Sequence, residues 1–288
     1  MTRVAPVFAL AVLSGLAMSC GQVPPDGTGN DWPALNGTWT EVFKEDFNGP
    51  ASSAPSGATW NVNVNGRPDN QEKEYYTDRP TNVSLDGNGN LVITAQSEHY
   101  AYAAGVTSGQ PYTSGRLDTR GHQQPQYGRI EARIKLPSGK GLWPAFWMLG
   151  QNIDTVHWPN CGEIDILEMA GSTPNTISGS AHGPGYSGNN AFTKKFTLGS
   201  GNFSDDYHVF AFEWTADAMR WLVDEQEFHV RTKAAVEAGG ATWVFNQPMF
   251  IILNLAVGGF FDGDPDANTK FPAQMLVDYV KISTLTPN

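Results

Sequence analysis

The chain has 288 residues, of which 16% are charged and 11% aromatic, with 31 glycines and 19 prolines. This turn-rich and aromatic-rich composition excludes a coiled coil, a collagen-like chain and a largely disordered protein. A formal net charge of −11 repels phosphate backbones, so we expect no nucleic-acid partner. Two cysteines cannot form a disulfide framework, and the sequence predicts no disulfide.

Residues 1–20 are typical of an export signal. Arg3 provides a positive start, and the apolar stretch that follows is too short for a comfortable transmembrane helix. Ala17 and Ser19 suit cleavage by the general signal peptidase, whereas Cys20 followed by glycine resembles a bacterial lipobox.

We expect lipidation at Cys20 and a flexible tether over residues 21–36. The protein would then be anchored to a bacterial outer membrane or cell surface, and otherwise secreted. Lipidation would leave Cys161 as the only thiol, which we expect to be buried and inert.

Residues 37–288 carry the pattern of one β domain with no linker or internal repeat. Apolar and polar residues alternate in short runs separated by turn-forming residues, and the clearest runs are 90–95, 128–136, 208–214, 219–224, 249–254 and 275–282. Helical periodicity is nearly absent, and residues 232–238 suffice for a turn or two. The prediction is an antiparallel sandwich or barrel, and we expect a monomer.

The most informative stretch is Glu-Ile-Asp-Ile-Leu-Glu at residues 163–168. On a strand, Glu163 and Asp165 share a face because side chains alternate with period two. Strict alternation places Glu168 on the apolar side, so we predict a bulge residue at Ile166 or Leu167 that returns Glu168 to the face of Glu163.

Distance along this strand indicates a class of chemistry. A rise of about 3.3 Å per residue separates the Cα atoms of Glu163 and Glu168 by roughly 13 Å, and their side chains reduce the carboxyl gap to about 5–6 Å. Retaining glycosidases need about 5–5.5 Å, and inverting ones roughly 6.5–9.5 Å. Three clustered carboxyls cannot all ionise freely, which suits one ionised nucleophile and one protonated acid. An exposed acidic strand or a calcium site would also fit this pattern.

Tryptophans surround the acidic strand in the sequence. Trp143 and Trp147 precede it and Trp158 leads into it. Because sugars combine apolar C–H faces with hydroxyls, indoles beside carboxylates favour a carbohydrate site. The alternative for Trp147 is a place in the core of the sandwich.

The sequence at 163–168 resembles the E-x-D-x-x-E signature of glycoside hydrolase family 16, in its form with the extra bulge residue. The stretches 143–149, 158–163, 205–214, 252–259 and 271–280 resemble the bacterial laminarinases, the endo-1,3-β-glucanases of that family. The resemblance covers roughly residues 39–284. It implies an all-β jelly-roll sandwich of two curved antiparallel sheets whose concave face is a glycan cleft.

The resemblance also implies roles for individual residues. Glu163 would be the nucleophile, Glu168 the acid/base and Asp165 the assisting carboxylate, and no cofactor would be needed for catalysis. The implied substrate-binding residues are Trp143, Trp147, Trp158, His182, Glu131, Arg133, Asn70 and Asn254. For Glu131 and Arg133 the alternative is an exposed charged face, and for His182 a surface loop. Asn254 either lines the cleft or pairs within the core.

Relatives often carry a structural calcium ion remote from catalysis. The matching positions here are Asp46, the Gly89 carbonyl and Asp278, and a hard cation would tie the two ends of the domain together. The sequence departs from the family pattern at residues 67–69 and 260–265, which affects the sugar subsites.

The resemblance leaves three functions to compare. The first is endo-acting hydrolysis of β-1,3-glucan. The second keeps the mechanism but acts on mixed-linkage β-1,3-1,4-glucan or a galactan. The third is a glucan-binding protein without activity; such relatives have typically lost one or both glutamates, whereas here all three carboxylates are present.

Overall fold

The computed structural model describes residues 32–33, 35, 37–66, 70–101 and 109–287. The predicted signal peptide, Cys20 and most of the predicted tether lie outside the described residues, as do residues 67–69.

The described residues form strands with two short α-helices and a 3-10 turn at Gly188–Asn190. The first nine strands are β1 (Gly37–Glu45), β2 (Asn61–Val62), β3 (Asn65–Gly66), β4 (Glu74–Tyr76), β5 (Val83–Leu85), β6 (Leu91–Tyr100), β7 (Gln110–Ser114), β8 (Arg116–Asp118) and β9 (Gly128–Lys135). The next nine are β10 (Leu142–Gly150), β11 (Glu163–Glu168), β12 (Thr176–His182), β13 (Phe192–Thr197), β14 (His208–Trp214), β15 (Ala218–Val223), β16 (Gln226–Thr232), β17 (Met249–Val257) and β18 (Ala273–Pro287). The helices are α1 (Ile153–Val156) and α2 (Lys233–Ala238).

The strands form two sheets. One has seven strands in the order β13-β12-β11-β10-β17-β8-β2, and all of its pairs are antiparallel. The other has eleven strands, with β16-β15-β14-β9-β18-β6-β7-β4-β3 in order, β1 paired to β18 and β5 to β6. Strands far apart in sequence are therefore neighbours, as the jelly-roll prediction requires.

The core lies between the two sheets and explains their alternating sequences. Ile164, Phe146 and Leu253 point into it from the seven-stranded sheet, and Ile130 and Phe212 from the eleven-stranded sheet. The opposite face of the seven-stranded sheet is then free to carry polar and aromatic side chains.

Local signals also correspond to local structure. The turn between β5 and β6 is closed by Asp86, whose carboxylate accepts hydrogen bonds from the backbone N–H groups of Asn88 and Asn90. Thr232 caps α2 by accepting from the Ala235 N–H, in the stretch with helical periodicity. Among the described residues, no helix is long and apolar enough to span a membrane.

Candidate active site

The carboxylate strand contains the predicted bulge. On β10, Trp147 pairs with Asp165 and Phe146 pairs with Leu167, so Ile166 is the extra residue. Ile166 and Leu167 are both buried in the core. Because the bulge absorbs one step of the alternation, Glu168 lies on the same face as Glu163 and Asp165.

Cross-strand partners share a face, which defines the surface around the carboxylates. On β12, His182 is opposite Glu163, Ser180 opposite Asp165 and Ser178 opposite Glu168.

The same face continues on the other side of the carboxylate strand. Trp147 of β10 pairs with Asp165. Strand β17 lies on the other side of β10, and its Asn254 pairs with Arg116 of β8. The seven-stranded sheet thus carries a row of acids flanked by hydroxyls on one side and by aromatic and amide groups on the other.

A glycine is required where the chain enters the carboxylate strand. Gly162 has φ +74°, and a Cβ there would lie 3.2–3.3 Å from side-chain atoms of Val244 and Phe245. This turn follows the cis peptide between Trp158 and Pro159 and leads directly into Glu163.

His182 orders the two carboxylates at the start of the strand. Its Nε2 is 2.9 Å from Asp165 Oδ2 and 3.5 Å from Glu163 Oε1. Its Nδ1 accepts a hydrogen bond of 3.1 Å from the Gly188 backbone N–H, so Nε2 carries the ring proton and donates to Asp165.

Two indoles reach the glutamates. The Trp143 Nε1–H donates to Glu168 Oε1 at 3.0 Å, and the Trp158 side chain lowers the pKa of Glu163. Trp158 is 46% exposed, which places it at the rim of the site. The Trp143 ring stacks on Phe261, with centroids 4.8 Å apart. Glu168 therefore receives an N–H from an aromatic side chain that could also contact a sugar.

Burial raises the pKa of every carboxyl in the row. Burial, and secondly the charge of Asp165, raises the pKa of Glu168 to about 8, although the hydrogen bond from Trp143 lowers it. Burial and Asp165 also raise the pKa of Glu163, whereas His182 and Trp158 oppose the rise. Burial raises the pKa of Asp165 as well. Near neutral pH the three carboxyls therefore carry fewer than three negative charges between them.

Trp147 and Asn254 form a second part of the same surface. The Trp147 Nε1–H donates to Asn254 Oδ1 at 2.7 Å, and the Arg116 guanidinium lies 4.8 Å from the Trp147 ring centroid. Asn254 is buried and its amide also donates to the Tyr76 hydroxyl at 3.2 Å. Asn254 thus holds Trp147, which is the pairing predicted as one alternative, and its contact with a sugar stays a prediction. The exposed Asn70 donates to Glu72 Oε1 at 3.0 Å, on a loop beside this surface.

The prediction that Glu131 and Arg133 line the cleft is wrong. Both lie on β9 in the eleven-stranded sheet, on the face opposite its core residues. Glu131 accepts from Lys281 and from Arg129, each at 2.6 Å, and Arg133 pairs with Asp278 at 2.7 Å. The two side chains do share one face of their strand, as the alternation predicted. That strand belongs to the eleven-stranded sheet, whereas the catalytic candidates lie on the seven-stranded sheet.

Two of the three predicted calcium ligands, the carboxylates, are paired with protein cations. The Asp46 carboxylate lies 2.6 Å from Lys44 Nζ, and the Asp278 carboxylate is paired with Arg133. The backbone of Gly89 does lie beside the Asp46 carbonyl. The arrangement is therefore satisfied by protein cations, and a calcium ion would have to displace them.

A cation at the carboxylate strand fits less well than proton chemistry. Glu163, Asp165 and His182 offer three ligand atoms within 4.8 Å of one another. Calcium prefers six to eight oxygen ligands, whereas here one ligand is an imidazole nitrogen that already donates to a carboxylate. These three ligands are too few and include a nitrogen, so they do not suit a calcium ion at this strand.

Several residues at this surface were not predicted from the sequence. Ser178 and Ser180 could have been found, because strand alternation from His182 puts them on its face. Arg116 and Tyr76 could not, because only the pairing of β8 with β17 and the fold of the β4 loop bring them to Trp147 and Asn254.

Comparison with known proteins agrees with this geometry. The sequence model described as glycosyl hydrolases family 16 matches residues 70–281, and the chain belongs to this family. Within it, the chain is 36% identical over 285 residues to a β-glucanase of Rhodothermus marinus, covering 96% of this chain and 92% of that protein.

Solved structures of laminarinases are similar over most of the chain. The endo-β-1,3-glucanase of Pyrococcus furiosus matches with a TM-score of 0.81 and 45% identity, covering 88% of this chain and 97% of that one. The laminarinase catalytic domain of Thermotoga maritima matches with a TM-score of 0.80 and 42% identity, covering 85% and 98%. The predicted family resemblance, the jelly-roll fold and the glycoside hydrolase class are confirmed.

Proposed function

We propose that the protein is an endo-acting, retaining hydrolase of internal β-1,3-glucosidic bonds in laminarin-like β-glucans. The observation that carries the proposal is the bulged strand that aligns Glu163, Asp165 and Glu168 on one face beside three indoles. Its resemblance to laminarinases along nearly the whole domain supports the substrate.

In the proposed mechanism Glu163 attacks the anomeric carbon while Glu168 donates its proton to the leaving oxygen. Glu168 then takes a proton from the water that releases the sugar from Glu163. Asp165 shares its charge with Glu163 and, with His182, holds that carboxylate in place. Two carboxyls supply both nucleophile and acid, so this chemistry needs no cofactor.

Similarity to one relative of broader specificity supports mixed-linkage glucan as a second substrate. A non-specific endo-β-1,3(4)-glucanase of this family, crystallised with glucan oligosaccharides, matches with a TM-score of 0.77 and 35% identity. Mixed-linkage glucan is therefore the alternative polymer. A β-1,3-glucan-binding protein of Penaeus monodon is 32% identical over 219 residues, but the three carboxylates here argue against binding alone.

The experiment is product analysis with purified protein on laminarin, barley mixed-linkage glucan and agarose. We expect short oligosaccharides from laminarin, and NMR should show the β-anomer as the first product. An α-anomer as first product would refute the retaining mechanism, and cleavage of another polymer only would refute the substrate. Glu163→Gln serves as the control for contaminating glucanases.

The remaining predictions concern placement and accessory ions. We propose export with lipidation at Cys20, which the signal-like sequence of residues 1–20 supports. We also propose a monomeric domain over residues 37–288. Labelling with a fatty-acid analogue in a bacterial host, compared with Cys20→Ser, tests the lipid. Light scattering tests the monomer. A calcium ion at Asp46, Gly89 and Asp278 is supported only by the closeness of the Gly89 backbone to the Asp46 carbonyl.

A further inference from the structure

A loop with two phenylalanines, residues 258–263, borders the cleft after the end of β17. Its second phenylalanine, Phe261, is stacked on Trp143 with an angle of 13° between the rings. The Trp143 indole N–H in turn donates to Glu168. One aromatic contact therefore separates this loop from the residue that holds the proposed acid/base.

The carboxylate of Asp262 fastens the loop to the two strands that carry Trp143 and Glu168. Its Oδ2 accepts from the Gly141 N–H at 2.8 Å and from the Ser172 N–H at 3.0 Å, and its Oδ1 accepts from the Ser172 hydroxyl. Gly141 directly precedes β10, and Ser172 lies shortly after the end of β11. Hydrogen bonds to an ionised carboxylate are stronger than those between neutral groups, so the loop is held against both strands.

Phe260 is the most exposed large apolar side chain in the described part of the chain, with 71% of its surface accessible. Its backbone N–H donates to the Asn70 carbonyl at 3.0 Å, so the residue is held between Asn70 and the Phe261–Trp143 stack. Among the described phenylalanines and tryptophans, the exposed ones are Trp158, Phe260 and Phe261, and all three border the carboxylate row. Exposed apolar surface collected at one place marks a binding surface.

We propose that Phe260 is a further sugar-contacting residue of the cleft and that Asp262 is the positioning residue that holds it there. Pyranose rings offer apolar C–H faces that an aromatic ring can cover. Phe261 and Trp143 separate Phe260 from the acid/base, so the glucan unit it contacts lies beyond the two units joined by the scissile bond. The proposal rests on the proposed function for its substrate, and it adds a subsite to that function.

Substrate length separates a sugar contact from a structural role. Phe260→Ala should raise KM on laminarin about tenfold with little change in kcat. It should leave kcat/KM unchanged on the shortest β-1,3-glucan oligosaccharide that the unmodified protein cleaves, because that substrate does not reach the loop. Phe260→Tyr keeps the aromatic face and should retain most of the affinity. Val42→Ala removes part of an exposed apolar side chain on the eleven-stranded sheet, and as the matched control it should leave KM unchanged on every substrate.

The anchoring role of Asp262 is tested within the same connection. Asp262→Ala removes the acceptor while both rings remain, so KM on laminarin should again rise about tenfold. In the Phe260→Ala background the same change should add little, because the contact that it positions is already lost. Asp266→Ala is the matched control, since the Asp266 carboxylate accepts from the backbone N–H groups of Asn268 and Thr269 within its own turn. An equal KM for the two alanine variants, or fully additive losses in the double variant, would overturn the positioning role.

A binding measurement does not depend on hydrolysis. Electrophoresis through gels that contain laminarin should retard Glu163→Gln, and adding Phe260→Ala to that variant should raise the Kd about tenfold. Equal retardation with and without Phe260→Ala, no retardation of either variant, or a loss of kcat/KM that is the same for all substrate lengths would overturn the contact. If the unmodified protein cleaves no β-glucan, the proposed function fails, and the retardation by laminarin still decides whether Phe260 contacts a glucan.

Discussion

Replacing Glu168 by glutamine removes a titrating group while keeping a side chain of the same shape. Burial raises the pKa of Glu168 from an ordinary 4.5 to about 8. Between these values the folded protein holds a proton that the unfolded chain releases. Glu168 therefore reduces the free energy of unfolding least below pH 4.5. That free energy falls as the pH rises from 4.5 towards 8, and it stays constant above pH 8.

The magnitude follows from the size of the shift. Each pKa unit corresponds to about 1.36 kcal/mol, so a rise from 4.5 to about 8 sets an upper limit of about 5 kcal/mol. Solvent in the open cleft reduces this, and we expect Glu168→Gln to be more stable than the unmodified protein by about 2–3 kcal/mol at pH 8. For a domain of this length that is a gain in Tm of about 5–10 °C.

Urea unfolding of both proteins from pH 4.5 to 9 measures the difference. It should be near zero at pH 4.5, grow to pH 8 and then stay constant, while hydrolysis is lost. Glu98→Gln is the control of opposite sign, since the hydrogen bond from Arg79 lowers the pKa of Glu98; there the unmodified protein should be the more stable above pH 4.5, with the advantage lost in acid. A pH-independent difference for Glu168→Gln would refute the raised pKa.

Three further outcomes are expected. Glu163→Gln should lower kcat on laminarin on the order of 10³-fold with an unchanged circular dichroism spectrum, and near-normal hydrolysis would remove Glu163 as nucleophile. His182→Phe should lower kcat about 10–100-fold with little change in KM, because Asp165 and Glu163 lose the N–H that orders them; a purely KM effect would instead make His182 a sugar contact. EDTA tests the calcium proposal: a Tm that EDTA lowers and added calcium restores would show that calcium displaces Lys44 and Arg133, and an unchanged Tm would leave Asp46 and Asp278 to their ion pairs.

Local sequence pattern predicted the features that depend on alternation within one strand. The two-residue spacing of Glu163 and Asp165 fixed their common face, and the apolar character of Ile166 and Leu167 required a bulge before Glu168. The wrong placement of Glu131 and Arg133 in the cleft came from the same use of alternation. Alternation separates the two faces of a strand, but it does not say which sheet of the sandwich the strand joins.

The parts of the site that sequence could not predict depend on long-range pairing. Trp147 lies beside Arg116 only because β8 pairs with β17, and β17 in turn pairs with β10. Asn254 meets Tyr76 across 178 positions of sequence. No local period contains that information, because it arises from the order in which the strands assemble into sheets.

Two buried acidic sites show how one sandwich keeps carboxyls both available and fixed. Glu163, Asp165 and Glu168 lie on a face open to substrate, where a shared charge and an available proton can be used in reaction. Glu131 is buried on the eleven-stranded sheet, where its carboxylate pairs with the Arg129 guanidinium at 2.6 Å. Burying a charge is costly at both sites. The first site meets that cost by keeping protons and the second by pairing with a cation, so only the first has a proton to exchange with a substrate.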